Sequence, residues 1–327
     1  MRVLVTGASG LLGRAVAQAI MTNGHAVTVM QRRPSGLACA EVLGDITNEQ
    51  AVQTAAAGQD AVVHLAAKVS PTGRWRDFVD VNVVGTQNLI EASKRAGIGR
   101  FVYVSSPAVA SSGAAHVGAT ALPADPAAAR SHYARSKAQA ELFVLDQQGG
   151  DMAVAAVRPH LVWGPGDEQL VARIVERAST GMLRLIGSGA ALVDSTYVDN
   201  AADAIAAALE HAHAIDGRSL VISNGEPRPV AELIGGLCRA AGLAMPTGRV
   251  PTWAAKAGGA AVEAAWAAAR LAQDPPMTRF LAEQLSTAHW YDQRETQQLL
   301  NWAPAVSVDQ GLKTLSQWFD THGAPIF

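Results

Sequence analysis

The sequence predicts an α/β fold, in which helices cover both faces of a doubly wound parallel sheet and a smaller C-terminal lobe is attached. Three observations support this prediction. Short β-branched runs alternate with helical stretches through the first half of the chain. Those runs are apolar on both faces, as strands of a covered parallel sheet are. A glycine-rich turn that begins at Gly7 joins the first strand to the first helix.

The alternation assigns the elements of the N-terminal half in order. Glycines at 24 and 97 are expected to end two of the helices. Thr47 and Asp199 are the expected N-caps of helices that follow them. The predicted strands are residues 2–6, 26–30, 41–43, 61–67, 100–106 and 154–159. Two predicted helices end near residues 23 and 57, and two more cover about 77–96 and 131–148.

Composition argues against several classes of partner. The net charge of the 327-residue chain is −2, with 26 basic and 28 acidic residues, and no basic stripe is visible. Nucleic acid is therefore not an expected partner. Cys39 and Cys238 form neither a metal-ligand spacing nor a disulfide framework, so we expect no metal and a reducing, cytoplasmic location.

One Ala-rich segment, residues 253–272, is long enough to be checked as a membrane span. It is interrupted by Lys256, Glu263 and Arg270, and alanine is barely apolar enough to insert. We therefore expect no integral membrane segment and a surface helix here. A weak peripheral membrane contact is the open alternative.

The stretch VTGASGLLG places Gly7, Gly10 and Gly13 between the first strand and the first helix. The first glycine permits the tight turn, the second lets the backbone approach a pyrophosphate, and the third lets helix and strand pack closely. Free N–H groups at the helix N-terminus favour the phosphates. The sequence therefore predicts a Rossmann-type dinucleotide site.

The residues after the second strand favour NADP over NAD. An NAD site carries Asp or Glu there to accept hydrogen bonds from the ribose. This chain has QRR at 31–33 and no carboxylate before Glu41. Arg32 suits a 2′-phosphate through charge and forked hydrogen bonds, with NAD as the open alternative. Two adenosine contacts are expected in the GDIT stretch, at Asp45 and Ile46.

Tyr133 and Lys137 are four residues apart in SHYARSKAQAE, a predicted helix, and so share one face. Because an ammonium favours the phenolate, we expect the pKa of Tyr133 to fall toward the working pH. Such a phenol can exchange a proton with an alcohol or carbonyl. Ser105 and Ser106 end a parallel strand at the edge where ligands bind, and either hydroxyl could polarise a substrate carbonyl.

After Pro159 the alternation loosens, and predicted strands at 184–186, 195–199 and 219–222 lie among helices. We expect residues 1–165 to form the dinucleotide-binding domain. Residues 166–327 are expected to form a smaller substrate-binding lobe that interleaves with the sheet.

The motifs TGASGLLG, GDIT, VVHLAA, DVNVVGTQNLIEAS, RFVYVSS, YARSK and VRPHLVWGPGD together resemble an extended short-chain dehydrogenase/reductase of the NAD-dependent epimerase/dehydratase family. The resemblance covers essentially the whole chain. It is strongest to the subgroup of 3β-hydroxysteroid dehydrogenases and 2-alkyl-3-ketoalkanoate reductases, and residues 275–292 resemble the latter. It implies hydride transfer with Tyr133 as general acid/base, Lys137 as its partner and Ser106 orienting the substrate oxygen.

The same resemblance implies further positions. Asn82 would pack a helix against the site. Relatives commonly dimerise through the helices at 77–96 and 131–148, so a homodimer is expected. The implied cofactor contacts, besides the three glycines, Tyr133 and Lys137, are Ser9, Leu11 and Leu12 in the turn, Leu65, Ala66 and Ala67 on the adenosine side, and Pro159, Leu161 and Val162 beside the nicotinamide.

Two departures from the family pattern favour a plain ketone reductase or alcohol dehydrogenase. Family epimerases carry asparagine in R-x-x-N, whereas Arg158 is followed by PHL. Family dehydratases place an acid after the strand-end serine or threonine, whereas Ser106 is followed by proline. The loop at 107–129 is rich in Ala, Gly and Val. We expect an NADP(H)-dependent oxidoreductase acting on an apolar substrate, sterol-like or a β-keto or β-hydroxy fatty acid whose carboxylate Arg74 or Arg130 would hold.

Two alternatives stay open. The first is a nucleotide-sugar epimerase, against which the missing asparagine argues. The second is a dinucleotide-sensing protein without turnover, of the kind in which relatives have lost the tyrosine. The intact set of Tyr133, Lys137 and Ser106 argues against it.

Overall fold

The computed structural model describes residues 1–70, 72–111, 113–269 and 278–323. Its strands are β1 (Arg2–Thr6), β2 (Ala26–Gln31), β3 (Ala40–Leu43), β4 (Ala61–His64), β5 (Arg100–Val104), β6 (His116–Ala119), β7 (Ala153–Pro159), β8 (Val162–Trp163), β9 (Leu185–Ile186), β10 (Leu192–Val193), β11 (Thr196–Tyr197), β12 (Ser219–Ile222), β13 (Arg228–Pro229), β14 (Arg249–Val250) and β15 (His289–Tyr291). Its α-helices are α1 (Leu11–Thr22), α2 (Glu49–Ala56), α3 (Trp75–Phe78), α4 (Gly85–Arg95), α5 (His132–Leu145), α6 (Leu170–Ser179), α7 (Val198–Glu210), α8 (Val230–Ala240), α9 (Thr252–Ala269), α10 (Arg279–Gln284), α11 (Arg294–Leu300) and α12 (Val308–His322).

Seven parallel strands form the central sheet in the order β12-β7-β5-β4-β1-β2-β3. The chain runs from β1 outward to β3, then returns to β4 on the other side of β1. The strand order therefore reverses between β1 and β4, and ligands bind outside the carboxyl ends of strands at such a point. The doubly wound parallel sheet predicted from the sequence is confirmed.

Helices cover both faces of this sheet because its strands are apolar on both sides. On one face α1 and α7 pack against the strands, and on the other face α2, α4 and α5 do so. The buried side chains of the first layer include Val16, Ile20, Ile205 and Leu209. Those of the second layer include Val52, Leu89, Ile90, Phe101 and Val144.

The helix predicted at 77–96 begins at Trp75 and is interrupted by a π-helical segment, Val79–Val84, between α3 and α4. Within it the buried Asn82 carbonyl accepts a hydrogen bond from the Thr86 hydroxyl at 2.7 Å. Such π segments are often found at functional sites. The wider turn lies beside α5, which carries the tyrosine and the lysine.

Both predicted N-caps are wrong. Asn48 caps α2, with its side chain accepting the N–H of Ala51. Thr47 instead donates its N–H and hydroxyl to the Asp45 carboxylate at 2.9 and 2.8 Å, which removes it from the helix end. Asp199 lies inside the first turn of α7, where the helix dipole favours a carboxylate, and the N-cap residue is Tyr197.

The C-terminal half contributes to the sheet as well as to a separate lobe. The predicted strand at 219–222 is β12, which pairs with β7 in the main sheet. The shorter β9 and β11 replace the strands predicted at 184–186 and 195–199. A four-stranded sheet in the order β13-β10-β15-β6 lies outside the central one. The domain boundary near residue 165 stays a prediction. Although α7 and β12 follow that residue in sequence, α7 packs on the central sheet and β12 is one of its strands.

The surface helix predicted at 253–272 corresponds to α9. Residues 270–272 of the predicted range lie outside the described part of the chain. Trp253 near its start is 75% exposed. Among the described residues, no helix has the length and hydropathy needed to cross a bilayer.

Three buried histidines should make the protein less stable in acid. Burial lowers the pKa of His64 to about 3, of His160 to about 4 and of His289 to about 3, against an ordinary value of 6.5. Below pH 6.5 the unfolded chain therefore binds more protons than the folded one. The free energy of unfolding should thus decrease as the pH is lowered. Burial raises the pKa of Asp194 to about 6, which offsets part of this loss below pH 6.

The urea midpoint should thus be lower at pH 5 than at pH 7. In a His289→Gln variant the difference between the two midpoints should shrink. A wild-type midpoint that is equal or higher at pH 5 would contradict the assignment of these histidines as neutral core residues.

Candidate functional site

The three glycines of the first turn meet three different steric requirements. Gly7 has a φ of +81°, and a Cβ there would lie 2.8 Å from the Ala66 nitrogen. A Cβ at Gly13 would lie 2.2 Å from the Gly7 oxygen. At Gly10 the nearest atom would be 3.8 Å away, so this position faces open space. Gly7 and Gly13 are thus required for packing, whereas Gly10 leaves room for a ligand.

The N-terminus of α1 opens at this point. Gly10 is its N-cap, and no side chain within the described ranges caps it. Its first N–H groups are therefore available to an anion. Ser9 is exposed, whereas the side chains of Leu11 and Leu12 pack partly into the core. The turn fits the pyrophosphate of a dinucleotide, with backbone groups rather than leucine side chains as its contacts.

The end of β2 differs from the expectation in one respect. The sequence places no carboxylate directly after β2. The structure nevertheless brings the Glu41 carboxylate there, because β3, which carries Glu41, pairs with β2. Its Oε1 accepts hydrogen bonds from Gln31 Nε2 and from the backbone N–H of Ser35, both at 2.7 Å. The carboxylate therefore holds the loop after β2 in place.

Three arginines lie in or beside the same loop. Arg14 of α1 donates from Nη2 to the Ser35 carbonyl oxygen. Arg32 and Arg33 are exposed, and neither has a hydrogen-bond or ion-pair partner in the described part of the chain. Arg14 was missed in the sequence analysis, since its proximity depends on how α1 packs beside β2.

The other residues predicted to contact the adenosine follow the ends of β3 and β4. Asp45 is half-buried, and its Oδ1 is already bonded to Thr47. Ile46 is buried against Gly85, and its carbonyl oxygen accepts a hydrogen bond from Asn88 Nδ2 at 3.2 Å. The predicted strand at 61–67 ends at His64, and residues 65–67 continue as half-buried coil.

Lys137 is buried at the carboxyl end of β5. The residue is 2% exposed, and its Nζ donates a hydrogen bond to the Val104 carbonyl oxygen at 2.7 Å. The same atom lies 4.0 Å from the ring centroid of Tyr103. Burial lowers the pKa of Lys137 to about 7, and the nearby Glu141 carboxylate opposes that fall.

Tyr133 does not have the lowered pKa that its spacing from Lys137 led us to expect. Burial raises the pKa of Tyr133 above its usual value, and a hydrogen bond with the Ser106 side chain opposes the rise. The expectation fails because the buried lysine is itself costly to charge and directs its ammonium to the Val104 carbonyl. The phenol is therefore in its protonated form at neutral pH.

A hydrogen-bond chain fixes the start of α5. Ser131 caps the helix by accepting the N–H of Ala134 at 3.1 Å. Ser136 donates to the Tyr133 carbonyl oxygen at 2.9 Å, and Asn82 donates to the Ser136 hydroxyl at 2.9 Å. Asn82 thus joins the π-helical segment to α5, at the place that the family resemblance implies.

The two serines after β5 have different environments. Ser106 caps the short 3₁₀ turn Pro107–Ala110, accepting the N–H of Ala108 at 3.3 Å, and its side chain lies near the Tyr133 phenol. Ser105 is buried, and its hydroxyl has no hydrogen-bond partner among the described residues. The structure therefore brings Tyr133, Ser106 and Lys137 together at one edge of the sheet.

The exit of β7 carries the nicotinamide-side candidates. Pro159 is buried at the strand end, and Val162 is half-buried in β8. Leu161 between them has a φ of +42° and an exposed side chain. His160 donates from Nδ1 to the Asp194 carbonyl oxygen at 2.6 Å.

A cluster of aromatic rings behind this exit was missed in the sequence analysis. The His160 ring lies 5.2 Å from that of Tyr291 and 6.0 Å from that of His289, whose ring lies 6.5 Å from that of His116. Its members come from three distant segments, so no local signal could have revealed it. Within the described ranges, no group of His, Cys, Asp or Glu is arranged to hold a metal ion.

The two arginines proposed for a substrate carboxylate are both paired. Arg74 is exposed and bonds Asp77 at 2.9 Å. Arg130 bonds the buried Glu283 at 3.4 Å, and its side chain is 38% exposed. Arg130 directly precedes Ser131, the N-cap of α5, and its side chain is the less exposed, so it is the better placed of the two.

Comparison with known proteins identifies the family. A sequence model of the NAD dependent epimerase/dehydratase family matches residues 3–223. A 2-alkyl-3-oxoalkanoate reductase of Stenotrophomonas maltophilia is 40% identical over 325 residues, covering 96% of this chain and 98% of the relative. A 3-beta-hydroxysteroid dehydrogenase of Mycolicibacterium neoaurum is 35% identical over 266 residues, covering 76% and 72%.

The fold is shared with solved structures. A short-chain dehydrogenase/reductase superfamily protein from Agrobacterium tumefaciens, solved with bound NAD, has a TM-score of 0.76 at 22% identity and covers 98% of each chain. At that identity the likeness shows the fold alone.

Substitutions at the glycine turn should separate packing from ligand binding. Gly13→Ala should lower the thermal midpoint, because its Cβ would strike the Gly7 carbonyl. Gly10→Ala should keep a midpoint close to wild type and weaken dinucleotide binding by about tenfold or more, since its Cβ would fill the space for the pyrophosphate. Thermal unfolding and fluorescence titration with NADPH measure both. Unchanged NADPH affinity in Gly10→Ala would place the phosphates elsewhere.

Proposed function

The chain is an extended short-chain dehydrogenase/reductase of the NAD dependent epimerase/dehydratase family, and we propose that it is an NADP(H)-dependent reductase of apolar β-keto acids. The reaction interconverts a ketone and a secondary alcohol. The observation that carries the proposal is the meeting of Tyr133, Ser106 and Lys137 at one edge of the sheet. It occurs in a chain similar over nearly its whole length to a named reductase.

In the proposed mechanism a bound nicotinamide dinucleotide supplies the hydride. The side chains of this chain handle the oxygen of the substrate. Ser106 donates a hydrogen bond to the ketone oxygen, and Tyr133 gives that oxygen its proton as the alcohol forms. Lys137 then stabilises the phenolate left on Tyr133 by its charge. Because burial raises the pKa of the Tyr133 phenol, the phenol is in the protonated form that the reduction step requires.

The proposed substrate is a 3-oxoalkanoate with an alkyl branch, the class in the name of the relative that aligns over 96% of this chain. Leu161, exposed at the β7 exit, stands where family epimerases carry asparagine. An apolar side chain there suits an alkyl chain better than a sugar hydroxyl. Arg130 retains N–H groups beyond its bond to Glu283 and is the proposed contact for the carboxylate.

A sterol-like 3-hydroxy substrate is the second candidate. It is supported by the 3-beta-hydroxysteroid dehydrogenase relative, which aligns over 76% of this chain. Its apolar body would meet the same side of the site, but it has no carboxylate for Arg130. The two candidates are therefore distinguished by the requirement for that arginine.

NADP is the proposed cofactor. Arg32 and Arg33 are exposed and unpaired among the described residues, and the Glu41 carboxylate beside them already accepts two hydrogen bonds. A 2′-phosphate would find free guanidinium groups there.

A cytoplasmic homodimer is the proposed assembly. Val84 in the π-helical segment and Leu142 on α5 are 37% and 45% exposed, on the two helical stretches that dimerise in relatives. Exposed apolar side chains on neighbouring helices suit a partner surface.

Tyr133→Phe should lower turnover of a 2-alkyl-3-oxoalkanoate by about a hundredfold or more, because the proton donor is removed. NADPH affinity should stay close to wild type. Tyr197→Phe is the matched control, since it deletes a hydroxyl from a core tyrosine and should leave turnover nearly unchanged. Substantial turnover by Tyr133→Phe would contradict the role of the phenol. Wild-type cofactor binding without turnover of any ketone would support the sensing alternative.

Arg32→Ala should weaken NADPH binding by about tenfold or more and leave NADH binding unchanged, because it removes a charge-assisted contact to the 2′-phosphate. Arg95→Ala, an exposed arginine at the end of α4, is the control. Fluorescence titration with each cofactor measures both affinities. Equal losses for NADPH and NADH, or tighter NADH binding by the wild type, would contradict the NADP proposal.

A further inference from the structure

A carboxylate lies fully buried one helical turn beyond the catalytic lysine. Glu141 follows Lys137 by four residues on α5, so the two side chains share one face of the helix. Glu141 is 0% exposed. A carboxylate so placed is costly to bury unless it is paired and fully hydrogen-bonded.

Arg158 of β7 supplies that pairing. Its Nε donates to Glu141 Oε2 at 3.1 Å, and its Nη2 donates to Glu141 Oε1. The Ser219 hydroxyl of β12 donates to the same Oε1 at 2.9 Å. This forked geometry fixes the carboxylate in one orientation.

Arg158 also bonds a loop outside the sheet. Its Nη1 donates to the carbonyl oxygen of Leu122 at 2.6 Å, in the loop between β6 and α5. The pair thus joins α5, two strands of the sheet and this loop. Leu122 itself is 43% exposed.

The groups that face Lys137 come from three elements. His64 of β4 is neutral, because burial holds its pKa at about 3. Tyr103 of β5 and Tyr133 of α5 are both neutral phenols, because burial raises the pKa of each. Glu141 is the group whose charge raises the pKa of Lys137 against the effect of burial.

We propose that the buried Glu141–Arg158 pair is a positioning unit that keeps Lys137 charged by holding a fixed carboxylate one turn beyond it. The two hydrogen bonds from Arg158 hold the carboxylate, and the carboxylate acts on the lysine. Neither member of the pair is a catalytic residue. The inference rests on the proposed function in giving Lys137 a role in turnover, but the charge state of the lysine can be measured without turnover.

The test follows the ammonium of Lys137 directly. The chain has five lysines, so ¹³Cε-lysine labelling gives a short list of NMR signals, and the signal missing from K137R assigns Lys137. Its titration is then compared in wild type, Glu141→Gln and Ser219→Ala. Glu141→Gln should lower the pKa of Lys137 by about one unit or more, because it removes an opposite charge. Ser219→Ala removes one neutral hydrogen bond and should leave that pKa close to wild type.

Glu141→Gln leaves Arg158 buried without its counter-charge and could fail to fold. The double variant E141Q/R158Q restores the charge balance and should show the same direction of shift. An unchanged Lys137 pKa in E141Q/R158Q, or an equal shift in Ser219→Ala, would overturn the proposal.

Turnover provides the second readout. In folded variants lacking Glu141, the alkaline limb of the kcat/KM profile for ketone reduction should move to lower pH with the lysine titration. A limb that stays in place while the enzyme remains active would also overturn the proposal. If the wild type reduces no ketone, the proposed function fails, and the NMR titration still decides the role of the pair.

Discussion

The rest of the site is organised around one costly feature, the burial of the Lys137 ammonium beside the carboxyl edge of the sheet. An uncompensated buried ion costs several kcal/mol, so its surroundings must supply partners. The Val104 carbonyl accepts a hydrogen bond from the ammonium, the Tyr103 ring presents a face to it, and Glu141 supplies an opposite charge. These partners come from the end of β5 and from α5 itself, so the register of that helix against the sheet is strongly constrained.

The same constraint positions the phenol. Tyr133 is held at the start of α5 by two features. Ser131 caps the helix, and a hydrogen-bond chain runs from Asn82 through Ser136 to the Tyr133 carbonyl. The π-helical segment brings Asn82 to that chain, and Ser106 meets the phenol from the end of β5. Burial then keeps the phenol protonated, which suits a group that must deliver a proton to a reduced ketone.

The parts of this arrangement that are local in sequence could be predicted from it. The glycine spacing, the Tyr133–Lys137 interval and the serines ending β5 each follow from a turn, a helical face or a strand end. Long-range features could not be predicted in this way. The pairing of Glu141 with Arg158, the position of Glu41 beside β2 and the cluster around His160 depend on how separate segments pack. The pKa of Tyr133 was misjudged for the same reason, because spacing revealed the lysine but not the depth at which both are buried. Thr47 was misassigned as a cap because its neighbour Asp45 competes for it.

The most direct test of the reductase assignment follows the hydride itself. Purified protein would be incubated with a 2-alkyl-3-oxoalkanoate and NADPH deuterated at nicotinamide C4, each face labelled in turn, and the product would be analysed by mass spectrometry. The account predicts a 3-hydroxy product that carries one deuterium at C3 from one of the two labelled faces. A product without deuterium from either face, or no alcohol at all alongside epimerisation of a UDP-sugar, would contradict it.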